Sequence, residues 1–196
     1  MRGAYMPPWY RRLADGIRSL LWAAFPPKRA LPPGAVVLVL DVVEPYRSLW
    51  TPRHDHCLRT LLCAARKADC PIVFTRWERT REWPRDVVAE KGHWTEFLPT
   101  RDSAFLPGLV GVHDQVVPVV HANAFTSQAI CDAVGTRPLM LAGMWTEACV
   151  TCTARAAAER NVRVQVAADC CSGHSIAHLL ALWTMQALFA TVVRVA

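Results

Sequence analysis

The stretch Pro138-Leu-Met-Leu-Ala-Gly-Met-Trp-Thr-Glu-Ala-Cys149-Val150 decides the fold. Leu139 to Ala142 is a short apolar run of the kind that forms a buried strand, and Gly143 breaks its period. A helical pattern follows from Glu147 to about Glu159. Thr146 has the side chain of an N-cap, which places Cys149 in the first helical turn. Unpaired backbone N–H groups and the positive end of the helix dipole favour an anion there, so the sequence predicts a stabilised Cys149 thiolate. A sulfur at a strand-to-helix turn is one way a fold presents a nucleophile. A small buried packing residue is the other reading of the same cysteine.

On either side of this unit the pattern repeats. Val36 to Val43 is a mostly β-branched run, as expected of a central parallel strand covered on both faces. Asp41 falls towards its C-terminal end, the edge where ligands bind in open α/β sheets. A carboxylate buried alone there is costly, so it must be paired, solvated or used. Further strands are predicted at Pro71–Thr75, Gln115–Val120, Val162–Ala167 and Thr191–Val195, with helices between them. Strands alternating with helices call for a three-layer α/β/α sandwich, Rossmann-like, of about six mostly parallel strands.

The chain of 196 residues suits one domain with a core of useful size, and 53% of it is hydrophobic. Its longest uncharged stretch near the end, Leu179 to Val193, is too short and mixed to span a bilayer. Eight scattered cysteines without a secretory signal read as reduced thiols in a protein that is not secreted. Cys149-x-x-Cys152 has redox-motif spacing, but no second pair stands at zinc-site spacing, and the sequence implies no metal or cofactor. His54-Asp55-His56-Cys57 reads as a capped helix start.

The net charge of +6 is uneven. Arg2, Arg11, Arg12, Arg18, Lys28 and Arg29 stand against Asp15 alone in residues 1–34. The remaining body is nearly neutral, which argues against a nucleic-acid-binding face on the core domain. Tyr10 to Phe25 has Leu13, Ile17, Leu20, Leu21 and Ala24 on one face of a helix, with its arginines opposite. Such a helix is an organellar targeting segment, a helix packed on the domain or a partner, or a contact with a membrane surface or nucleic acid. The chain is therefore divided into a basic extension, 1–34, and a folded domain, 35–196.

Arg76, Arg79 and Arg81 follow the second strand and are placed to recognise an anionic group on a substrate, or to be solvated. Residues 82–113 form a long connection of the kind that serves as a lid or oligomer contact. It carries Lys91, read as a surface lysine.

Gly143-x-x-Thr146-x-x-Cys149-Val150 resembles the isochorismatase-like cysteine hydrolases, and the resemblance runs from roughly Pro33 to the C-terminus. It includes the strand ending in Asp41, the segment Asn123-Ala124-Phe125, and Val164-Gln-Val-Ala-Ala-Asp169 followed by His178. The resemblance implies that Cys149 is the nucleophile and Asp41 its acidic partner. It implies backbone amides of Trp145 and Cys149 as oxyanion donors and a non-proline cis peptide near Met144–Trp145. Trp145, Thr146, Asn123, Phe125 and Arg76 are the candidate substrate-binding residues, and Trp77 would add to an aromatic wall. The family's catalytic lysine has no clean counterpart: counting back from Ala124 falls on Pro118 or Val119. His121 is the nearest titratable group, and imidazole can assist a thiol in the same way. The expected activity is hydrolysis of a small amide or amide-like substrate. The alternative is a degenerate hydrolase serving as a structural subunit. A homo-oligomer or a place in a larger assembly is expected, in mitochondria or cytoplasm.

Overall fold

The structure, a computed structural model, describes Leu21, residues 25–78 and residues 103–196. Most of the stretch Tyr10–Phe25 expected to be helical, Arg79, Arg81, Lys91 and most of the long connection lie outside the described residues. Six strands form one sheet: β1 (Val36–Leu40), β2 (Ile72–Trp77), β3 (Gln115–Val119), β4 (Leu139–Met144), β5 (Val164–Ser172) and β6 (Thr191–Val193). Their order is β3-β2-β1-β4-β5-β6. Every neighbouring pair is parallel. Helices α1 (Pro52–Lys67), α2 (Gln128–Val134), α3 (Thr151–Glu159) and α4 (Ser175–Leu188) connect them.

Alternation along β1 divides two cores. Val36, Leu38 and Leu40 pack with Ile130 and Val134 of α2, Ala154 and Ala157 of α3, and Leu182 and Met185 of α4. Val37 and Val39 face the other way, against Leu58, Leu61, Leu62 and Ala65 of α1. A strand covered on both faces has no polar side to show, which is why β1 and β4 are buried at every position. α1 begins at Pro52, where Thr51 and His54 form a reciprocal cap, so the His54 segment is a helix start.

Several boundaries differ from the sequence reading. β1 stops at Leu40 because Asp41 takes a left-handed φ of 52°. β2 continues through Arg76 and Trp77. β5 runs on to Ser172, so Asp169 lies inside a strand rather than opening a loop. A register shift opposite Leu141–Gly143 absorbs the mismatch with β4, after which Gly143 pairs with Cys171. Asp169 then accepts the backbone N–H groups of Val195 and Ala196 at 3.0–3.1 Å.

The last residues of the basic extension touch the domain. Lys28 bridges to Arg194 in parallel beside β6. Arg194 N–H donates to Pro27 O and Arg29 N–H to Arg194 O, each at 2.9 Å. All eight cysteines are free. No helix of the described residues is long and apolar enough to cross a membrane.

Candidate active site

The strand order reverses direction between β1 and β4, since the chain moves outward from β1 through β2 to β3 and then returns. Ligands of open α/β sheets bind at the carboxyl ends of strands flanking such a switch point. Leu40 pairs with Gly143 across this seam, so the residues that follow each strand emerge side by side. Gly143 has φ 116°, and a Cβ on it would lie 2.1 Å from Leu40 O. Only glycine lets the two backbones approach this closely.

Asp41 and Cys149 are each 2% exposed. They meet as a buried pair, the Cys149 thiol and the Asp41 carboxylate interacting directly. Thr75 Oγ1 donates to Asp41 Oδ1 at 3.0 Å, and the Trp77 backbone N–H donates to the same carboxylate. Burial outweighs these donors and raises the Asp41 pKa to about 6. The Trp145 backbone N–H also acts on Cys149, favouring its thiolate. The peptide bond Met144–Trp145 is cis, at the position the resemblance implied.

The Cys149 thiol is pushed well above its ordinary pKa, first by burial and then by the charge of Asp41. The sequence argument for a stabilised thiolate is therefore corrected. A helix dipole contributes about 0.3–1 kcal/mol at an exposed terminus, which is small beside taking the sulfur out of water next to a carboxylate. The turn itself differs too. Thr146–Val150 is a π-helical turn preceding α3, with Trp145 at its cap position. Thr146 does not cap it: its hydroxyl donates to Ser172 O at 3.0 Å. Because that proton is committed, Thr146 Oγ1 accepts from His178 Nδ1 at 2.8 Å, which places the ring proton on Nδ1. Burial holds the His178 pKa below its ordinary value, consistent with a neutral ring.

Phe125 is buried in the same core cluster as Cys149, with Trp77 packed against it. His121 and Asn123 are not brought to the dyad. Thr153 of α3 donates to Ala122 O at 3.2 Å and accepts from Ala124 N at 3.1 Å, fixing this loop. His121 is left exposed, and no described hydrogen bond or ion pair joins it to Asp41 or Cys149. Asn123 Oδ1 accepts the Phe125 N–H at 2.9 Å, capping a short turn. Arg76 approaches Glu78 at 3.4 Å, and its buried Nε has no hydrogen-bond partner among the described residues. Trp145 packs edge-on against Tyr46 and beside His174, with centroids 5.4 and 4.4 Å away. Glu147 Oε1 accepts the His174 backbone N–H at 2.9 Å.

Sequence reasoning missed Thr75 and Tyr46. Thr75 carried a faint signal as the lone polar residue ending the run Ile72 to Thr75, whereas Tyr46 carried none. Among the described residues no group of three or more His, Cys, Asp or Glu side chains is placed to hold a metal.

No curated protein matches the chain closely enough to count. Solved structures do. N-carbamoylsarcosine amidase from Thermoplasma acidophilum shares 20% identity at a TM-score of 0.67, covering 82% of this chain and 95% of that one. Nicotinamidase from Bacillus subtilis shares 15% identity at 0.66, covering 82% and 99%. MAR1 ribonuclease from Caenorhabditis elegans shares 20% identity at 0.60, covering 84% and 79%. At these identities the likeness is one of fold, and the fold carries more than one chemistry. The family itself comes from the Isochorismatase domain model, which matches residues 36–196. A match over that length, on a sheet whose switch point sets a carboxylate against a thiol, makes the chain a member of the isochorismatase family, whose members include amide hydrolases.

Proposed function

We propose that the protein is a cysteine hydrolase acting on a small amide or amide-like substrate through a thioester acyl-enzyme. The single observation that carries this is the buried pairing of the Cys149 thiol with the Asp41 carboxylate, with the Trp145 amide also acting on the sulfur. A carboxylate with a pKa of about 6 is ionised at neutral pH and still basic enough to take a proton. The thiol keeps its proton at rest. As Cys149 Sγ bonds to the carbonyl carbon, the proton passes to Asp41, and the carbonyl oxygen becomes an oxyanion. Backbone N–H groups of Trp145 and Cys149 are the donors for that oxygen. Collapse breaks the C–N bond, and the leaving amine takes the proton from Asp41. Water then attacks the thioester, giving its proton to Asp41, and the acid leaves as the thiol is reprotonated. Phe125, Trp77 and Trp145 are the candidates for aromatic walls against the substrate. Arg76 is the candidate for an anionic substituent.

A second reading has one observation in its favour. No lysine, arginine or histidine among the described residues forms an ion pair with Asp41. On this reading the domain is a structural subunit, held in a larger assembly by the basic extension 1–34.

Ammonia release from a panel of small primary amides and ureido compounds separates the two. The full chain is expected to release ammonia and to carry an acyl mass on Cys149 in quenched samples. Asp41→Asn and Cys149→Ala lose both signals by at least about 100-fold, the low end of what a general base supplies. A wild-type chain that gives neither ammonia nor adduct across the panel removes the hydrolase reading and leaves the structural one.

A further inference from the structure

Glu147 stands two residues before Cys149, in the π-helical turn Thr146–Val150. An acidic side chain in a first helical turn commonly answers the helix dipole from solvent. This one does not: its side chain is 16% exposed and turns to the junction between β5 and α4. Its Oε1 accepts two hydrogen bonds from His174, one from the backbone N–H and one from ring Nδ1, each at 2.9 Å. A carboxylate only accepts, so Nδ1 carries the proton. Its Oε2 is buried and takes no hydrogen bond among the described residues. It lies against Gly173 instead, where an added Cβ would overlap it. All of the carboxylate's described hydrogen bonding therefore goes to His174.

His174 leads back to the turn. Its ring stands 4.4 Å from the Trp145 indole, and the Trp145 carbonyl accepts the N–H groups of Ala148 and Val150 at 3.0 and 3.1 Å. The contacts close a circuit, from the turn through Glu147 to His174, on to Trp145, and back into the turn that carries Cys149. We infer that Glu147 is a positioning residue: its carboxylate sets His174 on the Trp145 indole and so keeps the turn that carries Cys149 closed. The inference rests on the hydrolase reading only for its effect on turnover, because the closure itself is read on the thiol. It also accounts for Gly173. That residue's φ is not left-handed, so backbone conformation does not call for glycine there, whereas room for the carboxylate does.

The test displaces the carboxylate without cutting it. Gly173→Ala puts a methyl group where Oε2 lies, and the far end of a side chain yields where main chain would not, so the His174 bonds are lost while the fold is kept. Alkylation of Cys149 by iodoacetamide is followed at fixed pH by mass spectrometry. Exposed Cys63 and buried Cys57 of α1 serve as references. A thiol 2% exposed reacts through local opening. Gly173→Ala and Glu147→Ala should each speed Cys149 on the order of tenfold, the low end for losing hydrogen bonds to a charged group. Cys63 and Cys57 keep their wild-type rates, whereas general loosening speeds Cys57 as well. Adding Gly173→Ala to Glu147→Ala should change nothing further, since the methyl group then meets no carboxylate. In both single variants the His174 ring protons should lose the ring-current shift of the Trp145 indole. An unchanged Cys149 rate or ring-current shift in either single variant, Cys57 speeding in step, or effects that add in the double variant overturn the inference. If the thiol effect appears in a chain that releases no ammonia from any amide, the positioning stands and the hydrolase reading is what fails.

Discussion

Asp41 carries the electrostatic tension of the site. Three donors, from Thr75, Cys149 and the Trp77 backbone, favour its ionised form, yet burial prevails and its pKa rises from 3.8 to about 6. A folded-state pKa above the unfolded value means that the native state binds the proton more tightly. The contribution to stability is therefore present in full below about pH 3.8 and is lost as pH rises through about 6. At pH 7 the ionised carboxylate works against the fold by up to about 3 kcal/mol. Asn has the same shape without the charge, and its oxygen can still accept from Thr75 and Trp77. Asp41→Asn should accordingly melt higher than wild type at pH 7 and close to it at pH 4, while losing all turnover. Thermal melts at the two pH values check this, and a lower melting temperature at pH 7 contradicts it. The wild-type rate should rise with pH through about 6, as Asp41 ionises.

Gly143 does at the level of elements what Asp41 does at the level of charge. It is the point where β4 passes β1 so closely that a methyl group would sit 2.1 Å from Leu40 O, with φ at 116°. Those atoms are main chain and have no rotamer by which to yield. Gly143→Ala is therefore expected to cost about 4 kcal/mol or more, seen as loss of soluble protein or of near-UV circular dichroism. A Gly143→Ala chain that melts within a few degrees of wild type would show that the seam can open. The glycine was legible in sequence as a break in period, as were the parallel sheet, the order of elements, and the meeting of Asp41 with Cys149. What stayed hidden depends on partners distant in the chain. β5 outran its reading because pairing resumes after the shift opposite Gly143. His121 looked available for the lysine's place, but it is exposed, beside Ala122 and Ala124, which Thr153 ties some 30 residues on. The thiolate expectation failed because no local pattern reports how completely Cys149 is buried.

At the scale of the molecule, the six-stranded open sheet of the described residues has two edges, β3 and β6, and an uncovered edge invites pairing with another chain. At β6 the structure answers with its own chain. Lys28 bridges to Arg194, Arg194 N–H donates to Pro27 O, and Arg194 Nε donates to Pro26 O at 2.8 Å. The boundary drawn at residue 34 thus runs just past a segment that contacts the chain immediately after β6. Two truncations separate the roles of the extension. A chain beginning at Pro26 retains these contacts and should match the full chain in chemical denaturation. A chain beginning at Gly34 loses the Lys28 bridge and the Pro26, Pro27 and Arg29 hydrogen bonds, and should be less stable by about 2 kcal/mol. Its bare β6 edge should also elute earlier in size exclusion as concentration rises, because the edge then pairs between chains. Equal denaturation midpoints for all three chains would mean that residues 26–33 lie along β6 without stabilising it, and that the domain ends at Gly34.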